Sequence, residues 1–213
     1  SEEDREKLAY LPTISELLEM ANREYHDMPA IGDDNAKYTY GELYSRVAKR
    51  RFYLNSLGIS KGGKVAVMSR NSLDSMELFL AITSAGYTMI MLPAQLDEQK
   101  LAGCVMKFSI EALFVSDEFK PLTEGLNTKV LPIGATAEEE APMGEGIVKE
   151  TIAAIYFTGG TTGAPKGVVL NHGSLMRGAH NACFRDERVF GHRYIAFLPF
   201  SHIYGSVAGF LTA

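Results

Sequence analysis

Residues 156–175 read YFTGGTTGAPKGVVLNHGSL, and an apolar run both enters and leaves this stretch. Its ten residues 158–167 contain four glycines, three threonines, one proline and one lysine. Glycines allow consecutive backbone N–H groups to turn towards a bound anion, threonine hydroxyls add hydrogen-bond donors, and Lys166 adds a positive charge. The composition therefore indicates either a phosphate-binding loop or a plain flexible turn between two strands.

Two common phosphate-binding motifs do not fit the spacing of this loop. The Walker motif places its lysine between a glycine and a serine or threonine, whereas Lys166 follows Pro165 and precedes Gly167. The dinucleotide-binding fingerprint needs a second glycine two positions after Gly159, where this chain has Thr161. Both motifs are excluded, so a phosphate-binding loop here must be of another kind.

Short apolar runs alternate with amphipathic helical patterns on both sides of the loop. The runs are apolar throughout, which is typical of strands buried on both faces of a parallel sheet. They lie at residues 65–68, 87–92, 112–115, 129–133, 152–157, 168–170 and 194–198. Helices are predicted from residue 13, from residue 39, and at about 73–85, 97–107 and 174–185. This alternation predicts an α/β fold with a mostly parallel sheet flanked by helices.

Local signals mark several element ends. Thr13 begins a capping box, Thr39 is expected to cap the second helix, and Gly58 is expected to end that helix. Residues 49–51 (Lys-Arg-Arg) lie within the second helix, and we expect them to form a solvated face. Residues 135–146 (ATAEEEAPMGEG) interrupt the pattern and predict an acidic surface loop or linker.

The composition narrows the class of protein. The chain has 213 residues, 46% hydrophobic and 22% charged, which suits one ordinary core or two small ones. A net charge of −5 without a long basic cluster makes nucleic acid a poor candidate partner. Cys104 and Cys183 form no CxxC pair, and no run approaches the ~20 apolar residues of a membrane span. We therefore expect a cytoplasmic protein with no transmembrane segment.

The loop and a second segment together resemble one family. TGGTTGAPKG, followed by a strand and His172, closely resembles the phosphate-binding signature of the adenylate-forming enzymes. These comprise acyl-CoA synthetases, firefly luciferase and the adenylation domains of non-ribosomal peptide synthetases. Residues 197–205 (FLPFSHIYG) resemble the family's Leu-Pro-x-x-His segment, and residues 39–43 and 86–93 resemble earlier family segments. Gly159, where serine is commoner, is familiar among long-chain acyl-CoA ligases.

The resemblance implies roles for particular residues. In the family the glycine-rich loop wraps the β- and γ-phosphates of ATP. The residues implied for this contact are Thr158, Gly159, Gly160, Thr161, Thr162, Gly163 and Lys166. His202 matches a histidine beside the bound carboxylate in the acyl pocket, with a hydrogen-bonded histidine at a strand end as the alternative. Tyr204 lies near an aromatic position that gates thiol access. His172 is interpreted as a turn residue, and His26, His180 and His192 as structural or exposed.

The implied reaction has two steps. A carboxylate attacks the α-phosphorus of MgATP to give an acyl adenylate and pyrophosphate, and the thiol of CoA then displaces AMP. ATP, Mg²⁺ and CoA are thus the implied cofactors, and the Phe200-Ser201-His202 sequence favours the CoA class. The alternatives are an amino-acid adenylation domain that serves a carrier protein, and a non-catalytic ATP-binding scaffold of the same fold.

The family's later motifs are not found in this sequence. They are the adenine- and Mg²⁺-binding segment, the ribose-binding aspartate, the hinge and the catalytic lysine. The C-terminal residues IYGSVAGFLTA are apolar and carry no helix-stop signal. We therefore expect residues 1–213 to be part of the large N-terminal AMP-binding domain of a longer polypeptide, without its C-terminal domain and inactive in isolation. Apolar surface left exposed by an incomplete sheet would favour dimers or larger species.

Overall fold

A computed structural model describes residues 11–158, 166–185 and 194–211. Their centre is a six-stranded sheet of order β6-β5-β3-β4-β7-β8, parallel except for the β7–β8 pair, beside a separate β1–β2 hairpin. The strands are β1 Pro29–Gly32, β2 Lys37–Thr39, β3 Lys64–Met68, β4 Thr88–Leu92, β5 Ile110–Val115, β6 Lys129–Pro132, β7 Ile152–Thr158 and β8 Lys166–Asn171. The helices are α1 Ile14–Tyr25, α2 Tyr40–Ser56, α3 Leu73–Ser84, α4 Glu98–Phe108 and α5 His172–Arg185, with a 3₁₀ helix at Asp117–Thr123 and a π-helical turn at Gly205–Phe210.

The helix starts follow the predicted caps. Thr13 and Thr39 each accept a hydrogen bond from the backbone of a glutamate three residues later, whose side chain binds back to the cap. Ser72 caps α3 in the same way with Ser75. Gly58 follows α2 with φ +65, a left-handed conformation that favours glycine over residues with a Cβ.

The central strands β3, β4 and β5 are buried on both faces, as their continuous apolar runs predicted. The prediction is wrong for the run at residues 168–170, because it lies in the edge strand β8, where Val168 is 40% and Val169 55% exposed. Along β3, Val65 and Val67 belong to one apolar cluster, and Ala66 and Met68 to the other. Residues of α1, α2, α3 and α5 line the first cluster, and residues of α4 line the second. The predicted mostly parallel α/β sheet flanked by helices is therefore confirmed.

The two arginines of the basic cluster in α2 are buried, so the predicted solvated face is wrong for them. Arg50 is 2% exposed and Arg51 is fully buried. Arg50 forms an ion pair with Glu77 at 2.9 Å, contacts Asp74, and donates to the Ile133 carbonyl at 2.6 Å. Buried charge is tolerated here because each guanidinium finds acceptors on neighbouring elements.

Residues 135–146 form an irregular segment without helix or strand, as predicted, and we call this segment the strap. Arg51 fixes it from below: Nη2 donates to the Ala141 carbonyl at 3.0 Å and Nε to the Pro142 carbonyl at 3.1 Å. The Gly144 N–H also donates to the Ser84 carbonyl at 2.8 Å. The strap is thus held against α2 and α3, in part by Arg51, which had been expected on a solvated face.

The predicted last strand at residues 194–198 does not form; those residues are irregular. The carbonyls of Ala196 and Leu198 accept hydrogen bonds from the Asn71 side chain, and the Phe200 N–H donates to it. Backbone groups that a strand would direct to a neighbouring strand are therefore taken by one side chain. In the described part of the chain, no helix has the length and hydropathy needed to cross a membrane.

Candidate active site

The β7–β8 hairpin holds both ends of the glycine-rich loop. Thr158, the last residue of β7, pairs with Lys166, the first residue of β8. Their pairing brings the two ends of the loop together at the carboxyl end of β7. Because β7 runs parallel to β4, this end lies at the edge where β3, β4 and β5 also end, the edge at which open α/β sheets bind ligands.

The implied phosphate contacts divide into two groups. Thr158 and Lys166 lie in the described strands, and Lys166 is exposed. The remaining implied contacts lie outside the described residues: Gly159, Gly160, Thr161, Thr162 and Gly163. The structure thus fixes where the loop begins and ends.

Close packing holds the exit of the loop. A Cβ atom on Gly167 would lie 2.8 Å from a methyl carbon of Ile155 and 2.9 Å from a ring carbon of Phe108. The Phe108 ring also packs edge-on against Phe157 of β7, with centroids 5.2 Å apart. Only glycine fits at this position without displacement, so the residue after Lys166 is fixed by contact with α4.

Residues 197–205, which we call the second motif, are held by hydrogen bonds to Asn71 and by a turn within the motif. Phe200 is only 5% exposed, and the Ser206 hydroxyl donates to its carbonyl. A Cβ on Gly205 would lie 2.2 Å from the Pro199 carbonyl oxygen, so the turn closes directly over that residue. The second motif is therefore held in place by these contacts although it forms no strand.

His202 lies on this turn with its side chain exposed. Its backbone N–H donates to the Pro199 carbonyl at 3.0 Å, and its Nδ1 accepts from the Tyr204 N–H at 3.3 Å. A neutral imidazole that accepts at Nδ1 carries its proton on Nε2. His202 can therefore donate from Nε2 to an oxygen, while the Tyr204 side chain remains 49% exposed.

The two motifs share one apolar support. Tyr156 of β7 and Phe200 of the second motif belong to the same core cluster, together with Leu175 of α5 and Val207 of the π-helical turn. Burial raises the pKa of the Tyr156 phenol, so this residue stays neutral in the core. Both motifs therefore rest on a single packed unit.

His172 is a buried anchor and not a turn residue, which corrects the sequence interpretation. It is fully buried at the start of α5, and its Nδ1 accepts from the Ile14 N–H at 3.3 Å. Burial lowers its pKa to about 4, although the Glu16 carboxylate acts in the opposite direction. The neutral ring thus connects the end of β8 to the start of α1. Of the other histidines, His26 is exposed, His180 is partly buried and His192 lies outside the described residues.

Sequence reasoning missed Asn71. One signal was available: a polar residue that follows a buried strand of a parallel sheet lies at the ligand-binding edge. Asn71 comes three residues after the last residue of β3 and immediately before the cap of α3.

Comparison with known proteins decides the family. The family model described as AMP-binding enzyme matches residues 18–213. The chain belongs to the AMP-binding enzyme family. The resemblance to adenylate-forming enzymes seen in the loop and in the second motif is therefore confirmed.

Relatives of several kinds are similar to this chain in sequence. The chain is 28% identical over 189 residues to the 2-succinylbenzoate–CoA ligase of Bacillus cereus, covering 84% of this chain and 37% of the relative. It is 26% identical over 187 residues to surfactin synthase subunit 2 of Bacillus subtilis, covering 84% of this chain and 5% of the relative. The chain thus spans well under two thirds of the length of these curated relatives.

Solved structures share the fold. VinN superposes with a TM-score of 0.84 at 17% identity, covering 95% of this chain and 54% of that one. O-succinylbenzoate CoA synthetase (MenE) of Bacillus subtilis, solved in complex with AMP, gives a TM-score of 0.78 at 20% identity, covering 90% of this chain and 52% of that one.

Proposed function

We propose that this chain is part of an ATP-dependent acid–thiol ligase that activates a carboxylic acid as an acyl adenylate and transfers it to CoA. The observation that carries the proposal is the pairing of Thr158 with Lys166 at the carboxyl edge of the sheet. This pairing holds a loop of anion-binding composition where nucleotides bind in α/β folds. Family membership supports the same conclusion, and the relative MenE was solved with AMP.

The loop residues are proposed to hold the β- and γ-phosphates of ATP. Thr158 and Lys166 would contact these phosphates from the two ends of the loop, and the glycines and threonines between them would supply N–H and O–H donors. A carboxylate oxygen bonds to the α-phosphorus, the bond to the bridging oxygen breaks, and pyrophosphate leaves with that electron pair. Fixed donors and a lysine at the leaving group stabilise the charge that develops on it.

Mg²⁺ is proposed to arrive with the nucleotide. Among the described residues, no group of three or more His, Cys, Asp or Glu side chains could hold a metal ion.

His202 is proposed to bind the substrate carboxylate. Its exposed Nε2–H can donate to a carboxylate oxygen or to the carbonyl of the acyl adenylate. The same segment exposes large apolar side chains, with Ile195 81% exposed and Phe197 73% exposed. Apolar surface beside a carboxylate donor favours an apolar acyl group, so a fatty acid is the proposed substrate.

An amino-acid adenylation domain that serves a carrier protein is the second candidate. The similarity to surfactin synthase subunits supports it. The two candidates differ in the acid that is activated and in the thiol that accepts the acyl group, so substrate tests separate them.

The test is carboxylate-dependent exchange of labelled pyrophosphate into ATP, measured on the complete gene product that carries this chain. The panel holds fatty acids of increasing chain length, aromatic acids and the common amino acids. Exchange with fatty acids and acyl transfer to CoA supports the proposal. Exchange with amino acids alone would replace it by the second candidate, and no exchange with any acid would indicate a non-catalytic scaffold. The isolated 213-residue chain is expected to show no exchange.

A further inference from the structure

We propose that Asn71 is a positioning residue for His202, and that its carboxamide fixes the orientation in which the histidine meets the substrate carboxylate. The role of the carboxylate rests on the function proposed above. The attachment of the second motif to the sheet through Asn71 does not depend on that function.

The Asn71 side chain is bound on both its donor and its acceptor side. Its Nδ2 donates to the Leu198 carbonyl at 2.7 Å and to the Ala196 carbonyl at 3.2 Å. Its Oδ1 accepts from the Phe200 N–H at 2.9 Å. The three contacts fall on alternate residues, as the contacts of a neighbouring strand would. One carboxamide thus determines the path of residues 196–200.

Asn71 is exposed, but its backbone lies between two well-held elements. Met68, three residues earlier, is fully buried at the end of β3, and Ser72, the next residue, caps α3 through reciprocal hydrogen bonds with Ser75. The carboxamide therefore extends from a residue that lies between a central strand and a capped helix start. Its hydrogen bonds fix residues 196–200 relative to the sheet, although these residues form no strand.

The position of His202 depends on the residues that Asn71 holds. Its backbone N–H binds the Pro199 carbonyl at 3.0 Å, and its own carbonyl accepts from the Ser206 N–H at 3.1 Å. The Ser206 hydroxyl in turn binds the carbonyl of Phe200, whose N–H is held by Asn71. A shift of residues 198–200 would therefore move the imidazole, which acts on the substrate through hydrogen bonds that tolerate only small displacements.

A simple anchoring role makes a different prediction from a positioning role. An anchor alone would alter stability when removed and leave the ring of His202 unchanged. A positioning residue must also change the hydrogen bonding of that ring. Asn55 of α2 provides a matched control. Among the described residues, its side chain has one hydrogen bond, accepted from the Tyr87 hydroxyl at 3.2 Å.

The first measurement is on the unmodified chain. Amide hydrogen exchange followed by NMR should show the Phe200 N–H protected at least ~10-fold relative to its rate in an unstructured peptide, since it is bound to Asn71 Oδ1. An unprotected Phe200 amide would overturn the proposal. This result requires no variant, so the attachment of residues 196–200 to Asn71 can be refuted even if substitution at Asn71 prevents folding.

The second measurement compares Asn71→Ala with Asn55→Ala by ¹⁵N NMR of the imidazole groups. In the unmodified chain and in Asn55→Ala, His202 should carry its proton on Nε2. Asn71→Ala should lose this single tautomer. The same His202 signals in both variants would overturn the positioning role. Neither NMR readout needs turnover, so both stay decisive if the proposed activity is wrong.

The third measurement is kinetic and uses the complete gene product. Asn71→Ala should lower kcat/KM for the carboxylic acid by at least ~10-fold, while the KM for ATP changes less than ~3-fold. Asn55→Ala should leave both values unchanged. An equal loss for both substrates would contradict a role specific to the carboxylate.

Discussion

Acidification should destabilise this protein through His172. The ring is fully buried and neutral, and burial lowers its pKa from 6.5 to about 4. In the unfolded chain the same group takes up a proton once the pH falls below about 6.5, whereas the folded state resists protonation until about 4. The unfolded state therefore binds more protons in this window, and stability falls as the pH falls through it. Between pH 7 and pH 4.5 this one group should lower the free energy of unfolding by about 2.5 kcal/mol.

Urea unfolding at pH 7, 6, 5 and 4.5 measures this effect against His172→Gln. Glutamine does not titrate, and its side-chain oxygen can still accept from the Ile14 N–H, which the histidine binds at 3.3 Å. Other groups titrate in both proteins and cancel in the difference. The unmodified chain should lose about 2.5 kcal/mol relative to the variant on going from pH 7 to pH 4.5.

Two results would refute this reasoning. Parallel stability curves for the two proteins would show that His172 has the same pKa folded and unfolded. A gain in stability of the unmodified chain on acidification would show that the folded protein holds the charged ring.

Three further substitutions have defined outcomes. Gly167→Ala places a methyl group against the Phe108 ring and an Ile155 methyl carbon, and it should lower the free energy of unfolding by about 1–3 kcal/mol. The control Gly103→Ala should not destabilise the protein, because a Cβ there meets nothing within 4 Å. Equal melting temperatures for the two variants would contradict the packing at Gly167. Glu77→Gln removes the buried carboxylate that pairs with Arg50, which keeps Asp74 as a charged partner, and should cost about 1.5–3 kcal/mol by urea unfolding; a change below about 0.5 kcal/mol would contradict it. Arg51→Met should release the strap and speed its cleavage by a glutamate-specific protease, whereas the nearby change Lys49→Met should not; equal rates would show that the strap is held by other contacts.

The sheet and its helices could be predicted because their causes are local in the sequence. The apolar runs needed no partner to indicate strands buried on both faces, and Thr13 and Thr39 marked helix starts through residues three positions away. The position of the glycine-rich loop between two strands could be predicted from the apolar runs on either side of it.

The errors concern groups whose partners are distant in the sequence. Arg50 is buried because it meets Glu77, 27 residues away, and the Ile133 carbonyl, 83 residues away. The predicted strand at residues 194–198 is replaced by an irregular segment because Asn71, 125 residues from Ala196, binds its carbonyls. The sequence around Arg50 or around residues 194–198 does not reveal such a distant partner. Local charge and apolar content therefore led to two wrong predictions, a solvated arginine and a strand.

The proposed substrate contacts remain predictions. His202 presents a donor on a fixed turn, and Lys166 stands at the exit of the loop on β8. Their positions follow from the fold, whereas a fatty acid is proposed from exposed apolar side chains such as Phe197.

The most direct test of the central claim is acid-dependent ATP–pyrophosphate exchange by the complete gene product carrying Lys166→Ala. Lys149→Ala is the matched control, because Lys149 is also exposed and belongs to neither family motif. If Lys166 contacts the leaving phosphates as proposed, removing its charge should lower kcat/KM for ATP by about 10-fold or more, with the control unchanged. Equal exchange rates for Lys166→Ala and the unmodified protein would contradict the assignment of this loop to the phosphates of ATP.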